Sequence, residues 1–178
     1  MERKGKPAAM QFKSVSKRPA DFPTVLRSAF LALPWPRIAL TGILLVAGFL
    51  DLFRLSRGDY GNFYYAATVK SILGSLHNFL YASFDPSGFV SVDKPPLGFW
   101  IQAASAVLFG FNGPSLLFPQ AIAWVLSVAV LYHLVRRAYA PTAGLLAALA
   151  LALTPISLVT NRNDTMDSLL VLMVLLAA

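Results

Sequence analysis

The side chains able to do chemistry in this chain are few: Asp59, Asp85, Asp93, Lys94, Arg162, Asp164 and Asp167, set among long apolar runs. Carboxylates suit proton transfer to and from a reacting hydroxyl. A lysine beside them offers a compact positive charge for an anion, phosphate above all. The stretch "SVDKPPLGFW", residues 91–100, places Asp93 and Lys94 directly before Pro95 and Pro96 and then turns apolar. Proline fixes φ and is tolerated at the start of a helix, so the pair holds Lys94 rigidly where the chain enters the membrane, the depth of a lipid-linked phosphate. The plainer alternative makes Lys94 a snorkelling interfacial anchor with Asp93 as its exposed partner.

Composition excludes several classes of function. Hydrophobic residues make up 57% of the chain and charged ones 13%, far from the roughly 25% charged content of soluble domains. The chain is built for lipid. With no cysteine there is no disulfide or thiolate metal site, and the two histidines, His77 and His133, are far apart in sequence. Asp59, Asp85 and Asp93 could offer oxygen ligands to a divalent ion, but no dedicated loop spacing supports one; no metal and no other cofactor is assigned. The net charge of +7 does not signal nucleic acid, because the basic residues concentrate before the first apolar run. They read as a cytoplasmic anchor facing anionic lipid.

These patterns predict an all-α polytopic membrane protein. Residues 1–33 read as a basic, mostly disordered cytoplasmic tail, and residues 34–178 as a membrane domain with spans at about 36–53, 116–135, 142–160 and 165–178. The tail is too long, and the first run too long, for a cleaved signal peptide. The closing "SLLVLMVLLAA" has no charged or aromatic flank, which reads as a chain truncated inside a helix. Residues 95–111 either span or lie along the interface. The positive-inside bias favours the interface, because it keeps Arg136 and Arg137 with the basic tail. The loop 54–115 then faces outward together with residues 161–167, and all the candidate groups share one face.

Charges near bilayer depth are costly and usually face a polar cavity or a partner, and Asp167 at the head of the last run is the sharpest case. The alternative is structural: Asp164 or Thr165 as a helix N-cap, with Asp167 complementing the dipole. Phe63, Tyr64 and Tyr65 read either as an interfacial aromatic belt or as stacking surfaces for a sugar ring.

The run from "GNFYYAATVKSILGS" through "FDPSGFVSVDKPPLGFWIQAASAVLFGF" to "LYHLVRR", followed by "NRNDTMDSLLVLMVLLAA", resembles the N-terminal part of bacterial family 39 glycosyltransferases, relatives of protein O-mannosyltransferases and aminoarabinose transferases. The resemblance implies a GT-C-like helical membrane domain with an outward first loop carrying juxtamembrane helices. It also implies transfer of a sugar from a polyprenyl-phosphate carrier to a lipid, glycan or protein acceptor, at the extracytoplasmic face of the cell membrane. On the matching motif, Lys94 corresponds to a lysine that holds the carrier phosphate, Asp93 to its acidic neighbour and Asp167 to the acid opening a later helix. Many relatives carry an Asp-Glu pair shortly before a Tyr-Ala; here Gly61 and Asn62 stand in that slot, and Asp59 lies just upstream.

The expectation is an inverting transfer. Asp59 acts as base, with Asp167 as the second catalytic carboxylate, while Lys94, Asp93 and Arg162 hold the carrier phosphate and Asn62 and Tyr65 contact the sugar. A different class of function is a non-catalytic membrane component or transporter fragment that only binds a lipid phosphate. Pro155 inside the third run is the feature that would favour it.

Overall fold

Proline and glycine punctuate this chain into long and short helices, and the difference decides which can cross a bilayer. The computed structural model describes residues 35–53, 55 and 59–178; the expected basic tail lies outside them. Among the described residues two helices are long and apolar enough to span, α1 (Trp35–Leu52) and α5 (Gly113–Ala138). Between them lie α2 (Phe63–Ile72), α3 (Leu76–Tyr81) and α4 (Pro96–Phe109); α6 (Pro141–Ala152), α7 (Pro155–Arg162) and α8 (Asp167–Ala177) follow. The protein is an all-α polytopic membrane protein; its only extended pairing among the described residues is the isolated bridge Ser83–Ser91.

The expected third span, 142–160, differs from a single straight helix. Pro155 cannot donate to the preceding turn, and α6 and α7 meet at a 51° bend, so the two form at most one broken span. The run expected at 165–178 forms α8, of 11 residues, shorter than a span within the described chain. The ambiguous stretch after Pro95 forms α4, whose 14 residues reach about 21 Å at the helical rise, short of the ~30 Å hydrocarbon core.

Helix α4 is fixed to the first turns of α5 by a compensation visible in the backbone. The N-terminus of α5 carries a reciprocal cap: Asn112 Oδ1 accepts from the Ser115 amide at 3.0 Å and Ser115 Oγ accepts from the Asn112 amide at 3.3 Å. Pro119 inside α5 removes the amide that would otherwise bond the Ser115 carbonyl. Ser105 Oγ of α4 donates to that carbonyl at 2.6 Å, and Gln102 Nε2 donates to the next one, of Leu116, at 3.1 Å. Tyr65, Ala66, Val69 and Ile72 of α2 then pack with Phe99, Ala103 and Ala106 of α4 and with Leu116 and Met166 in one buried cluster. On the far side of α5, the buried stripe Gly144, Ala148 and Ala152 of α6 permits close approach. A Cβ on Gly144 would stand 2.9 Å from the Tyr132 carbonyl.

The turn at residues 59–61 rests on the start of α5. Asp59 has φ +50°, and any side chain at Gly113 would overlap the Asp59 carbonyl. Gly113→Ala is therefore expected to destabilise the protein by roughly 1–3 kcal/mol. Gly42→Ala, at an exposed position of α1 with nothing within 4 Å of the added methyl, should stabilise by roughly 0.5–1 kcal/mol. Thermal unfolding of both variants in the same detergent checks the pair; a Gly113→Ala variant as stable as the wild type would show that the 59–61 turn does not seat on α5.

Candidate active site

The entry to α4 is built by a short hairpin and two prolines. Phe84 donates its amide to the Val90 carbonyl at 2.7 Å, and Val92 donates to the Ala82 carbonyl at 2.9 Å. The turn between them is closed by Asp85, whose carboxylate accepts from the amides of Val90 at 2.6 Å and Phe89 at 3.2 Å. Those amides hold the Asp85 carboxyl below its ordinary value. Pro95 follows with φ −57° and ψ 140°, and Pro96 is the first residue of α4. Lys94 is thus held, exposed, just ahead of a helix N-terminus, where the free amides and the dipole favour an anion.

Lys94 and Asp167 line one cavity of about 230 Å³, with Pro95, Leu97 and Gly98 on the α4 side and Met166, Leu169, Leu170 and Met173 on the α8 side. One cation and one carboxylate therefore stand at a cleft whose remaining wall is apolar. Gly98 permits the approach, since a side chain there would overlap Met166. Asp167 lies in the first turn of α8 and makes no cap with its side chain, nor do Asp164 or Thr165 cap that helix. Thr165 Oγ1 instead donates to the Thr160 carbonyl at 2.9 Å.

The other expected site residues divide. Tyr65 is buried beside this cleft, and burial, the Asp93 carboxylate, Tyr64, Asp167 and Asp164, in that order, push its phenol above the ordinary value. Asp93, Asp164 and Asp167 accordingly share one neighbour. Asn62 Oδ1 accepts from the Tyr64 amide at 3.0 Å and caps α2. Arg162 does not line the cavity; its guanidinium donates to the Phe53 carbonyl at the end of α1. Asp59 is exposed on its turn and is not among the cavity's lining residues. No cluster of three metal-ligating side chains occurs among the described residues.

Two buried polar groupings escaped the sequence reading. Asp51, 1% exposed near the end of α1, accepts from Asn161 Nδ2 at 3.2 Å, and Ser168 Oγ donates to Asn161 Oδ1, so α1, α7 and α8 are tied through one amide. The signal was present: an aspartate closing an otherwise apolar span needs a partner. Asp164 is wholly buried and accepts from Gln102 Nε2. Burial pushes its carboxyl up to about 7, against the Gln102 hydrogen bond, which lowers it.

Residues 93–178 match a family model described as dolichyl-phosphate-mannose-protein mannosyltransferase. Over 140 residues, 79% of this chain, the sequence is 49% identical to "Putative mannosyltransferase YycA" of Bacillus subtilis (strain 168). It is 44% identical, again over 140 residues, to "Putative mannosyltransferase YkcB" of the same organism. The chain spans about a fifth of the length of these curated relatives, 20% of each. No solved structure matches. The family match begins at Asp93, so it takes in both charged residues of the cavity and leaves out Asp59, Asn62 and Tyr65.

Proposed function

Because the chain is a partial member of the GT-C membrane mannosyltransferase family, we propose that it forms part of a glycosyltransferase that moves a sugar from a polyprenyl-phosphate carrier to an acceptor hydroxyl at the extracytoplasmic face. The observation that carries this reading is the cavity with Lys94 and Asp167 on opposing elements and an otherwise apolar wall. A polyprenyl phosphate has the same division, a charged head on a greasy chain. Lys94 and the free amides at the start of α4 receive the phosphate, and the side chains of Leu97, Leu170 and Met173 receive the first isoprene units.

In the transfer step the acceptor oxygen attacks the anomeric carbon as its proton passes to a carboxylate. The carbon–oxygen bond to phosphate breaks, and its electron pair leaves on the phosphate oxygen. Lys94 stabilises that charge as it develops. Asp167 is the carboxylate that the cavity itself supplies. Asp59 remains the candidate for the base from the first loop, approaching from the acceptor side, and Asp93 shapes the field around Tyr65.

The bend at Pro155 is the feature a transporter would use. The cavity's two charged residues, however, lie at the heads of α4 and α8 rather than on the broken pair, which favours transfer over carriage.

In the whole protein that carries this chain, Lys94→Met should lower transfer by roughly a hundredfold or more and weaken binding of polyprenyl phosphate. Lys70→Met removes an equal charge from α2, where the ammonium lies 6.0 Å from the Phe111 ring, and should leave both near wild type. Equal, small effects at the two lysines would refute the phosphate site.

The orientation is checked separately in intact cells. A cysteine at Ser87 should react with an impermeant thiol reagent from outside and one at Ala138 should not; the reverse pattern would place the cavity in the cytoplasm.

A further inference from the structure

The contact between the 163–166 turn and α4 contains an imbalance of hydrogen-bonding groups that the transfer reaction does not explain. Gln102 Nε2 forks between the Leu116 carbonyl and Asp164 Oδ1. Gln120, one turn beyond Leu116 on α5, directs its Nε2 to Met166 Sδ at 3.1 Å. With both amide nitrogens committed, Gln102 Oε1, Gln120 Oε1 and Asp164 Oδ2 are buried with no hydrogen-bond partner among the described residues. All three side chains are at most 2% exposed. These oxygens are acceptors only, so the region lacks a hydrogen rather than a partner atom. An unpaired carboxylate here would carry a heavy desolvation penalty.

The charges around this point do not supply a counter-ion. From α2 comes Tyr65, and around the same phenol stand Asp93 and Asp167, both acidic. Helices α4 and α5 bring the neutral amides Gln102 and Gln120. Asp59 on the 59–61 turn is exposed, and Arg162 is turned to the Phe53 carbonyl. The backbone is meanwhile held in an unfavourable conformation, with φ +53° at Asp164. From outside, Gly61 packs so closely that a Cβ would stand 2.9 Å from the Asn163 carbonyl carbon. A non-glycine residue persists in that region only where its surroundings over-determine it.

We infer that Asp164 is a positioning residue carried as the neutral acid, its proton donated to a glutamine carbonyl oxygen, and that this clamp across α4, α5 and the 163–166 turn sets Asp167 opposite Lys94. The inference rests on the cavity reading for what is being positioned, but not for the protonation state. The folded carboxyl lies above its ordinary value of 3.8, at about 7. The stabilisation from the clamp is therefore complete below the ordinary carboxylate value and is lost as pH rises through about 7.

The test uses the whole protein in lipid nanodiscs, with Asp164→Asn and Asp164→Ala beside the wild type. The infrared difference spectrum between wild type and Asp164→Asn should contain a protonated carboxyl stretch that fades as pH rises past about 7. Asparagine keeps a donor in the same place and should hold transfer within roughly tenfold of wild type, while abolishing the alkaline fall in rate. Alanine should lower kcat by roughly a hundredfold through misplacement, with KM for the lipid donor little changed. A carboxylate stretch in place of the protonated one, or an Asn variant no better than Ala, overturns the inference; if the Ala variant does not fold, the spectrum and the Asn pH profile decide. Full activity in Lys94→Met and Asp167→Asn would overturn the cavity reading instead, leaving the infrared result to judge Asp164 by itself.

Discussion

A carboxyl group that water does not reach must be hydrogen-bonded, neutralised or both, and the contact of Asp164 with Gln102 is where this chain meets that requirement. Three elements depend on it. Helix α4 contributes Gln102, α5 contributes the Leu116 carbonyl that shares the same amide, and the 163–166 turn contributes the acid. The turn leads directly into Asp167, and Gly98 on α4 lies against Met166. The relative placement of Lys94 and Asp167 therefore follows from a polar contact buried between them and the spans, not from any direct pairing of the two.

The same economy recurs elsewhere in the interior. Pro119 frees a carbonyl on α5, and Ser105 of α4 takes it up. The aspartate that closes α1 is held by Asn161, which in turn holds Ser168. Side-chain amides and hydroxyls supply what water would supply in a soluble protein. They do so at breaks and ends of helices, where backbone groups are open.

Much of the helical pattern was legible from residue types. The apolar run ending at Phe53 and the Asn-Gly-Pro-Ser start of α5 are local signals, and so is the Pro-Pro entry to α4. Lys94 and Asp167 could be singled out because charge is rare at the edge of apolar sequence. The hydrogen bonds of Arg162 and Asn62 were not legible, since a cap or a carbonyl contact depends on which chain end comes near, and nothing in the local sequence states that. For Asp164 a helix cap stood as the alternative to a place among the charges of one face; its buried contact with Gln102, 62 residues away in sequence, has no local signal. The bend at Pro155 was predictable as a weak point, but its angle depends on packing against α5.

The central claim is that Lys94 and Asp167 face one another across a cavity that takes the phosphate end of a lipid. Since these 178 residues contain no cysteine, the double substitution Leu97→Cys with Leu170→Cys, which lines the same cavity from the α4 and α8 sides and leaves Lys94 and Asp167 in place, can be bridged by a short bifunctional thiol reagent in nanodiscs, with any cysteine elsewhere in the whole protein removed. The measurement is the rate of bridging with and without polyprenyl phosphate, uncharged polyprenol serving as control. The account predicts rapid bridging that polyprenyl phosphate slows more than polyprenol does. Failure of the pair to bridge, or equal slowing by the two lipids, would contradict it.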